Sequence, residues 1–256
     1  MYFKANDFLL YYDKYVNKKN INTMVIFPGW GNNRTTFNRI IEIFKDNYNI
    51  YIVDYPGFGN STFPRYDLTI YDYAEVMIDL FKKENITNPV IIAHSFGGII
   101  ATLLTGYYNL NISKMVFIDI AGIKKSKSLR IIIRTYIYKF LKKLRIFLPQ
   151  KKKQKYLKKL QSIFASSDYN NLSNKMKKTF QNIVNEDLTK YYSNIKSEVL
   201  ILWGMLDDVT PLKDAIKINK LIKNSSLIQL PNCTHFCYLE EVTLVINILK
   251  EFLINS

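Results

Sequence analysis

Cysteine and histidine are scarce in this 256-residue chain, with two of each. Cys233 and Cys237 are too few for a disulfide framework, and without neighbouring Cys or His pairs their spacing is not a zinc pattern. No apolar run is long enough to span a bilayer, and residues 1–7 lack the uninterrupted apolar stretch of an export signal. The expectation is a cytoplasmic protein with reduced thiols, no metal site and no cofactor. Acidic residues are also under-represented, 21 against 36 Lys and Arg, for a formal charge of +15. That imbalance is local: residues 121–195 hold 19 Lys and Arg and 3 Asp and Glu, the remainder 17 and 18. The basic excess therefore belongs to one segment and not to the fold. Charge without a reading motif is poor evidence for nucleic acid, and no nucleic-acid partner is expected.

Outside that segment, strand and helix signals alternate. Apolar, β-branched runs bounded by Pro, Gly or Asn occur at 24–27, 50–53, 90–93, 115–118, 199–203 and 227–230. Apolar residues spaced three and four apart fall between or after them, at 36–44, 69–83, 98–107, 211–222 and 241–252. Near-continuous apolar strands separated by helices predict an α/β fold with a mostly parallel central sheet covered on both faces. Residues 8–12 are expected to supply an antiparallel edge hairpin. Residues 121–195 show helical patterning only, at 128–148 and 150–164, so the expected domains are a core of 1–120 with 197–256 and a lysine-rich helical insertion at 121–196. The 128–148 stretch reads as an amphipathic helix with a basic face. It is expected to cover a pocket with its apolar side, and peripheral contact with an anionic membrane is the alternative use of that face.

The chemistry-bearing residues lie where the strands end. The run Val90-Ile91-Ile92-Ala93-His94-Ser95-Phe96-Gly97-Gly98 reads as a strand entering a tight turn, with small residues two before and two after Ser95 that let strand and helix approach. A serine needs a base. His94 adjoins Ser95 and is expected to pack behind the turn, which leaves His235 in the loop after the last predicted strand. An acid must orient that imidazole, and Asp207 follows the penultimate strand, with Asp208 beside it as an alternative. Backbone N–H groups of Trp30, in the loop 27–33, and of Phe96 are the expected donors to a developing oxyanion.

Taken in order, the Ser95 turn, the segment Trp203-Gly204 with Asp207 and Pro211, and the His235 loop resemble the α/β-hydrolase superfamily, in particular small members with a helical cap. Asp54-Tyr55-Pro56-Gly57-Phe58-Gly59-Asn60-Ser61 is similar to a structural loop of that family. Ala93 stands where glycine is usual, and Pro28 where many relatives carry histidine. Some relatives place the acid at the strand end occupied here by Asp119. The resemblance implies a serine hydrolase acting on a small carboxylic ester by a Ser-His-Asp acyl-enzyme route without a cofactor. A lysophospholipase or lipase acting at anionic membranes, a C–C bond hydrolase and a thioesterase are alternatives on the same scaffold. A non-catalytic ligand-binding protein is the reading that a complete set of catalytic groups disfavours.

Overall fold

The structure is a computed structural model and describes residues 1–32, 34–124, 153, 154, 156, 176–184 and 186–255. The chain divides into two compact units, residues 1–123 with 186–256, and residues 124–185. In the second unit the helix Lys177–Val184 is described. The expected helix at 128–148 lies outside the described residues, as does 150–164 apart from 153, 154 and 156.

The first unit is built on an eight-stranded sheet. Its strands are β1 (Tyr2–Ala5), β2 (Phe8–Tyr15), β3 (Thr23–Phe27), β4 (Asn49–Asp54), β5 (Val90–His94), β6 (Lys114–Ile118), β7 (Glu198–Gly204) and β8 (Ser225–Leu230). They lie in the order β1-β2-β4-β3-β5-β6-β7-β8. β1 pairs antiparallel with β2 and β2 with β4, and every other neighbouring pair is parallel. Each of the six expected apolar runs lies within one of β3 to β8. The hairpin at the start is longer than residues 8–12: Asn6 takes a left-handed φ of 49° and turns β1 back onto β2. β1 escapes a reading by apolar runs because its burial alternates residue by residue.

Both faces of the parallel part are covered, which explains why its strands are apolar at successive positions. On one face Met24, Ile26, Ile52, Ile92, Val116, Ile118 and Leu202 join a core with Phe44 of α1 (Asn38–Phe44) and with Val245 and Leu249 of the helix Val242–Lys250. On the other face Phe27 stacks on Phe81 of α2 (Ile70–Lys83) at 6.5 Å between ring centroids. Thr69 starts α2 in a capping box: its hydroxyl accepts from Asp72 N–H while its own N–H donates to the Asp72 carboxylate at 2.7 Å. Such a cap stabilises a helix by about 1 kcal/mol. α3 (Phe96–Gly106) is buried at every position and follows β5 with no intervening loop. The sequence pattern predicted a start at 98. The actual start at Phe96 matters because it sets that residue's N–H among the first-turn donors that have no intrahelical partner.

Candidate active site

Five segments that follow parallel strands carry polar groups to one edge of the sheet, where open α/β sheets place their ligands. β3 leads into the Trp30 loop, β5 into Ser95, β6 into Asp119, β7 into the Asp207 loop and β8 into the His235 loop. Ser95 sits at φ 50°, ψ −115°, a conformation that L-residues rarely hold. Backbone bonds over-determine it: Ser95 N–H donates to the Ile118 carbonyl at 3.1 Å, and the Ser95 carbonyl accepts from Ala121 at 2.9 Å and, locally, from Gly98 at 3.0 Å. A Cβ at residue 97 would overlap the Phe27 carbonyl oxygen, so Gly97 is what lets α3 approach β3 this closely.

Ser95, His235 and Asp207 are brought together in one hydrogen-bonded line. His235 Nε2 lies 2.9 Å from Ser95 Oγ, and His235 Nδ1 lies 2.8 Å from Asp207 Oδ2. A carboxylate accepts, so Nδ1 carries the hydrogen and Nε2 presents a lone pair to the serine hydroxyl. Asp207 Oδ1 accepts from the N–H groups of Val209 at 2.7 Å and Thr210 at 2.9 Å, and Oδ2 accepts from the Thr210 hydroxyl at 2.6 Å. Burial pushes this carboxyl up, but the bonds from His235 and Thr210 outweigh it and hold it below the usual carboxylate range.

The alternative acids are placed elsewhere. Asp208 is exposed to solvent. Asp119, fully buried, accepts from Gly204 N–H at 2.8 Å and from Cys237 N–H at 3.4 Å, and so ties the start of the Asp207 loop to the helix after His235. Burial raises its carboxyl to about 6 despite those bonds. Thr210, which the sequence reading passed over, joins the site through Asp207 and lies 3.2 Å from His235 Nδ1. Its carbonyl accepts from the buried Trp203 indole at 2.8 Å, which anchors the Asp207 loop to β7. On the His235 loop Thr234 N–H donates to Glu240 at 2.6 Å. The signal for these residues was their place in the same short loops as Asp207 and His235.

The other flank is aromatic. The Trp30 ring packs edge-on against Phe58 at 4.7 Å, Phe96 at 5.2 Å and Tyr73 at 6.1 Å, so the two residues expected to supply oxyanion donors are in side-chain contact. Where this loop ends, Arg34 pairs with Asp13 at 2.7 Å and with Asp54, whose carboxylate also accepts from Asn60 N–H at 2.8 Å. The 54–61 loop thereby holds itself and the exit of the Trp30 loop in place. Cys233 and Cys237 are buried, and burial pushes both thiols up, as for inert apolar side chains. Among the described residues no three His, Cys, Asp or Glu side chains are grouped to hold a metal ion, and no helix is long and apolar enough to cross a membrane.

Residues 22–242 match the family model described as alpha/beta hydrolase fold. The chain is similar to the pimeloyl-(acyl-carrier protein) methyl ester esterase of Wigglesworthia glossinidia brevipalpis, 27% identical over 252 residues that cover 90% of this chain and 93% of that one. Its likeness to the enzyme of the same name from Vibrio vulnificus is 22% over 235 residues, covering 85% and 89%. Among solved structures, the enol-lactonase from Burkholderia xenovorans superposes with a TM-score of 0.76 over 99% of both chains at 16% identity, a likeness of fold alone.

Proposed function

The chain belongs to the alpha/beta hydrolase fold family and is a hydrolase of the esterase type, and we propose that it cleaves carboxylic esters through a covalent acyl intermediate on Ser95. The observation that carries this reading is the Ser95–His235–Asp207 line, with its 2.9 Å and 2.8 Å contacts at the ends of β5, β8 and β7. His235 Nε2 takes the hydroxyl proton as Ser95 Oγ bonds to the ester carbonyl carbon. Asp207 holds the imidazole in the one tautomer that can accept and stabilises the imidazolium that forms. Negative charge then develops on the former carbonyl oxygen, facing the N–H groups of Trp30 and Phe96; one such donor is worth about 2.7–4 kcal/mol in acyl transfer. The imidazolium returns its proton to the leaving alcohol as the carbon–oxygen bond breaks. Water deprotonated by the same nitrogen attacks the acyl-enzyme, and the acid departs as Ser95 recovers its proton.

The named activity of the Wigglesworthia and Vibrio relatives makes an acyl methyl ester the first natural substrate type to try. A chain-length series of p-nitrophenyl esters, measured on the wild type and on Ser95→Ala, tests chemistry and pocket depth together. Turnover that peaks at one acyl length and disappears in Ser95→Ala supports the reading. Turnover retained in Ser95→Ala overturns it. We further propose a cytoplasmic location, in keeping with two free, buried thiols.

A further inference from the structure

The chain's other histidine has no part in the proton transfers above, yet it is more deeply enclosed than the base. His94, the last residue of β5, has no solvent exposure. The rings of His235, Phe236 and Tyr238 lie at 5.0, 5.2 and 5.0 Å from its own. Its nitrogens meet two different loops. Nε2 is 2.8 Å from the backbone carbonyl oxygen of His235, and Nδ1 is 3.2 Å from the Asn32 side-chain amide nitrogen. A carbonyl oxygen only accepts, so Nε2 carries the hydrogen and Nδ1 offers a lone pair. The Asn32 NH₂ group is a donor, and one neutral tautomer satisfies both contacts. Burial, reinforced by the neighbouring His235, pushes the imidazolium down to about 3, so the ring is neutral at physiological pH.

The donors therefore run in one direction, from Asn32 through His94 to the His235 carbonyl. Asn32 shares its loop with Trp30, and its N–H closes a turn onto the Gly29 carbonyl at 3.2 Å. A Cβ at residue 29 would stand 2.6 Å from Asn32 Nδ2, 2.8 Å from His94 Nδ1 and 3.2 Å from Ser95 Cβ. Glycine at 29 is what leaves the Asn32–His94 contact room to form. Residue 94 is also bonded covalently to Ser95, so one side chain is fixed to the nucleophile, the base loop and the oxyanion loop at once.

We propose that His94 is a positioning residue that holds the Trp30 loop and the His235 loop at a fixed separation on either side of Ser95. This rests on the reading of Ser95 as nucleophile and His235 as base. Acyl transfer needs the oxyanion donors and the base to address the same tetrahedral carbon, and a misplacement of about 1 Å can cost about 10²-fold in rate. Cutting the tether lowers kcat and leaves KM nearly untouched, because the oxyanion contact is made in the transition state.

Steady-state kinetics on p-nitrophenyl acetate, with thermal unfolding as a check on folding, test this in wild type, Ser95→Ala, Asn32→Ala, His94→Leu, the Asn32→Ala/His94→Leu double variant and His94→Gln. Asn32→Ala and His94→Leu are each expected to lower kcat about 10- to 100-fold with KM within about twofold. The double variant falls no further than the worse single one, because either change breaks the same tether. His94→Gln, whose amide can both donate and accept, recovers most of the loss. Asn32 is only partly buried, so its variant keeps the test open if His94→Leu fails to fold. An inert Ser95→Ala beside a folded Asn32→Ala or His94→Leu variant with wild-type kcat overturns the tether alone, as do losses that multiply in the double variant. Activity retained in Ser95→Ala overturns the nucleophile assignment and the tether with it.

Discussion

On one side of Ser95, Asp207 and His235 sit in a web of short hydrogen bonds; on the other, Trp30 is wedged among the rings of Phe58, Phe96 and Tyr73. The difference is one of tolerance. A buried hydrogen bond to a charged group fixes distance and direction, and losing one partner strands the other in a low-dielectric site. Ring contacts are broad and add up from many weak attractions, so they loosen gradually. The acid–base side is therefore expected to fail at the loss of a single atom, and the oxyanion side to decline with lost volume.

The sharpest way to break that contrast is Asp207→Asn. The amide can donate where the carboxylate only accepts, so the imidazole is turned to the wrong tautomer, and kcat is expected to fall about 10⁴-fold with little change in KM. A loss below about tenfold in steady-state kinetics would mean that the web does not act on catalysis. Next in size is Thr210→Val, which deletes the hydroxyl 2.6 Å from Asp207 Oδ2 while keeping the side chain's shape. Removal of a hydrogen bond to a charged group is worth about 1.5–3 kcal/mol, which would be about 10- to 150-fold if expressed wholly in kcat. On the aromatic side, Trp30→Ala keeps the backbone N–H and removes three ring contacts. It is expected to cost about tenfold in kcat and about 1–3 kcal/mol of stability, with Trp30→Phe intermediate in both. A Trp30→Ala effect as large as that of Asp207→Asn would erase the distinction.

Not all of this was legible in the chain. That Ser95 and His235 would meet could be read from spacing, because a strand, small flanking residues and a helix make a tight turn at Ser95, and because only two histidines compete for the place beside it. β3 to β8 were legible because burial on both faces makes their residues apolar in succession. Asp207 and Asp208 could not be separated by pattern, since adjacent residues differ only in which way the loop points them. In the fold, Asp207 turns inward to four donors and Asp208 faces water. The Asn32–His94 bridge joins residues 62 apart in sequence and has no local signature.

Two smaller effects sharpen the contrast. His94 has a folded value near 3 against an ordinary imidazole near 6.5, so below pH 6.5 the unfolded chain gains a proton that the folded one refuses. Its contribution to stability is complete above 6.5 and is lost as pH falls towards 3. Asp119 works the other way: raised to about 6 from 3.8, it favours the folded state as pH falls between those values. His94→Gln removes the first effect, so its unfolding midpoint in urea should drop less between pH 7 and pH 4 than that of the wild type. Equal drops would show that His94 is not held neutral. The weakest effect expected is one of charge: residues 124–185 carry 18 Lys and Arg and 1 Asp or Glu, and we propose a salt-sensitive association with anionic vesicles. Co-sedimentation at low and high salt checks it, and no binding at low salt would remove the membrane from the account.

The central claim is that Ser95 becomes acylated because His235 and Asp207 activate it. Intact-protein mass spectrometry after exposure to a fluorophosphonate, followed by peptide mapping, tests this most directly. The account predicts one adduct on the wild type, located at Ser95, far slower labelling of Asp207→Asn, and none on Ser95→Ala. An adduct on another residue, or equal labelling of Ser95→Ala, would contradict it.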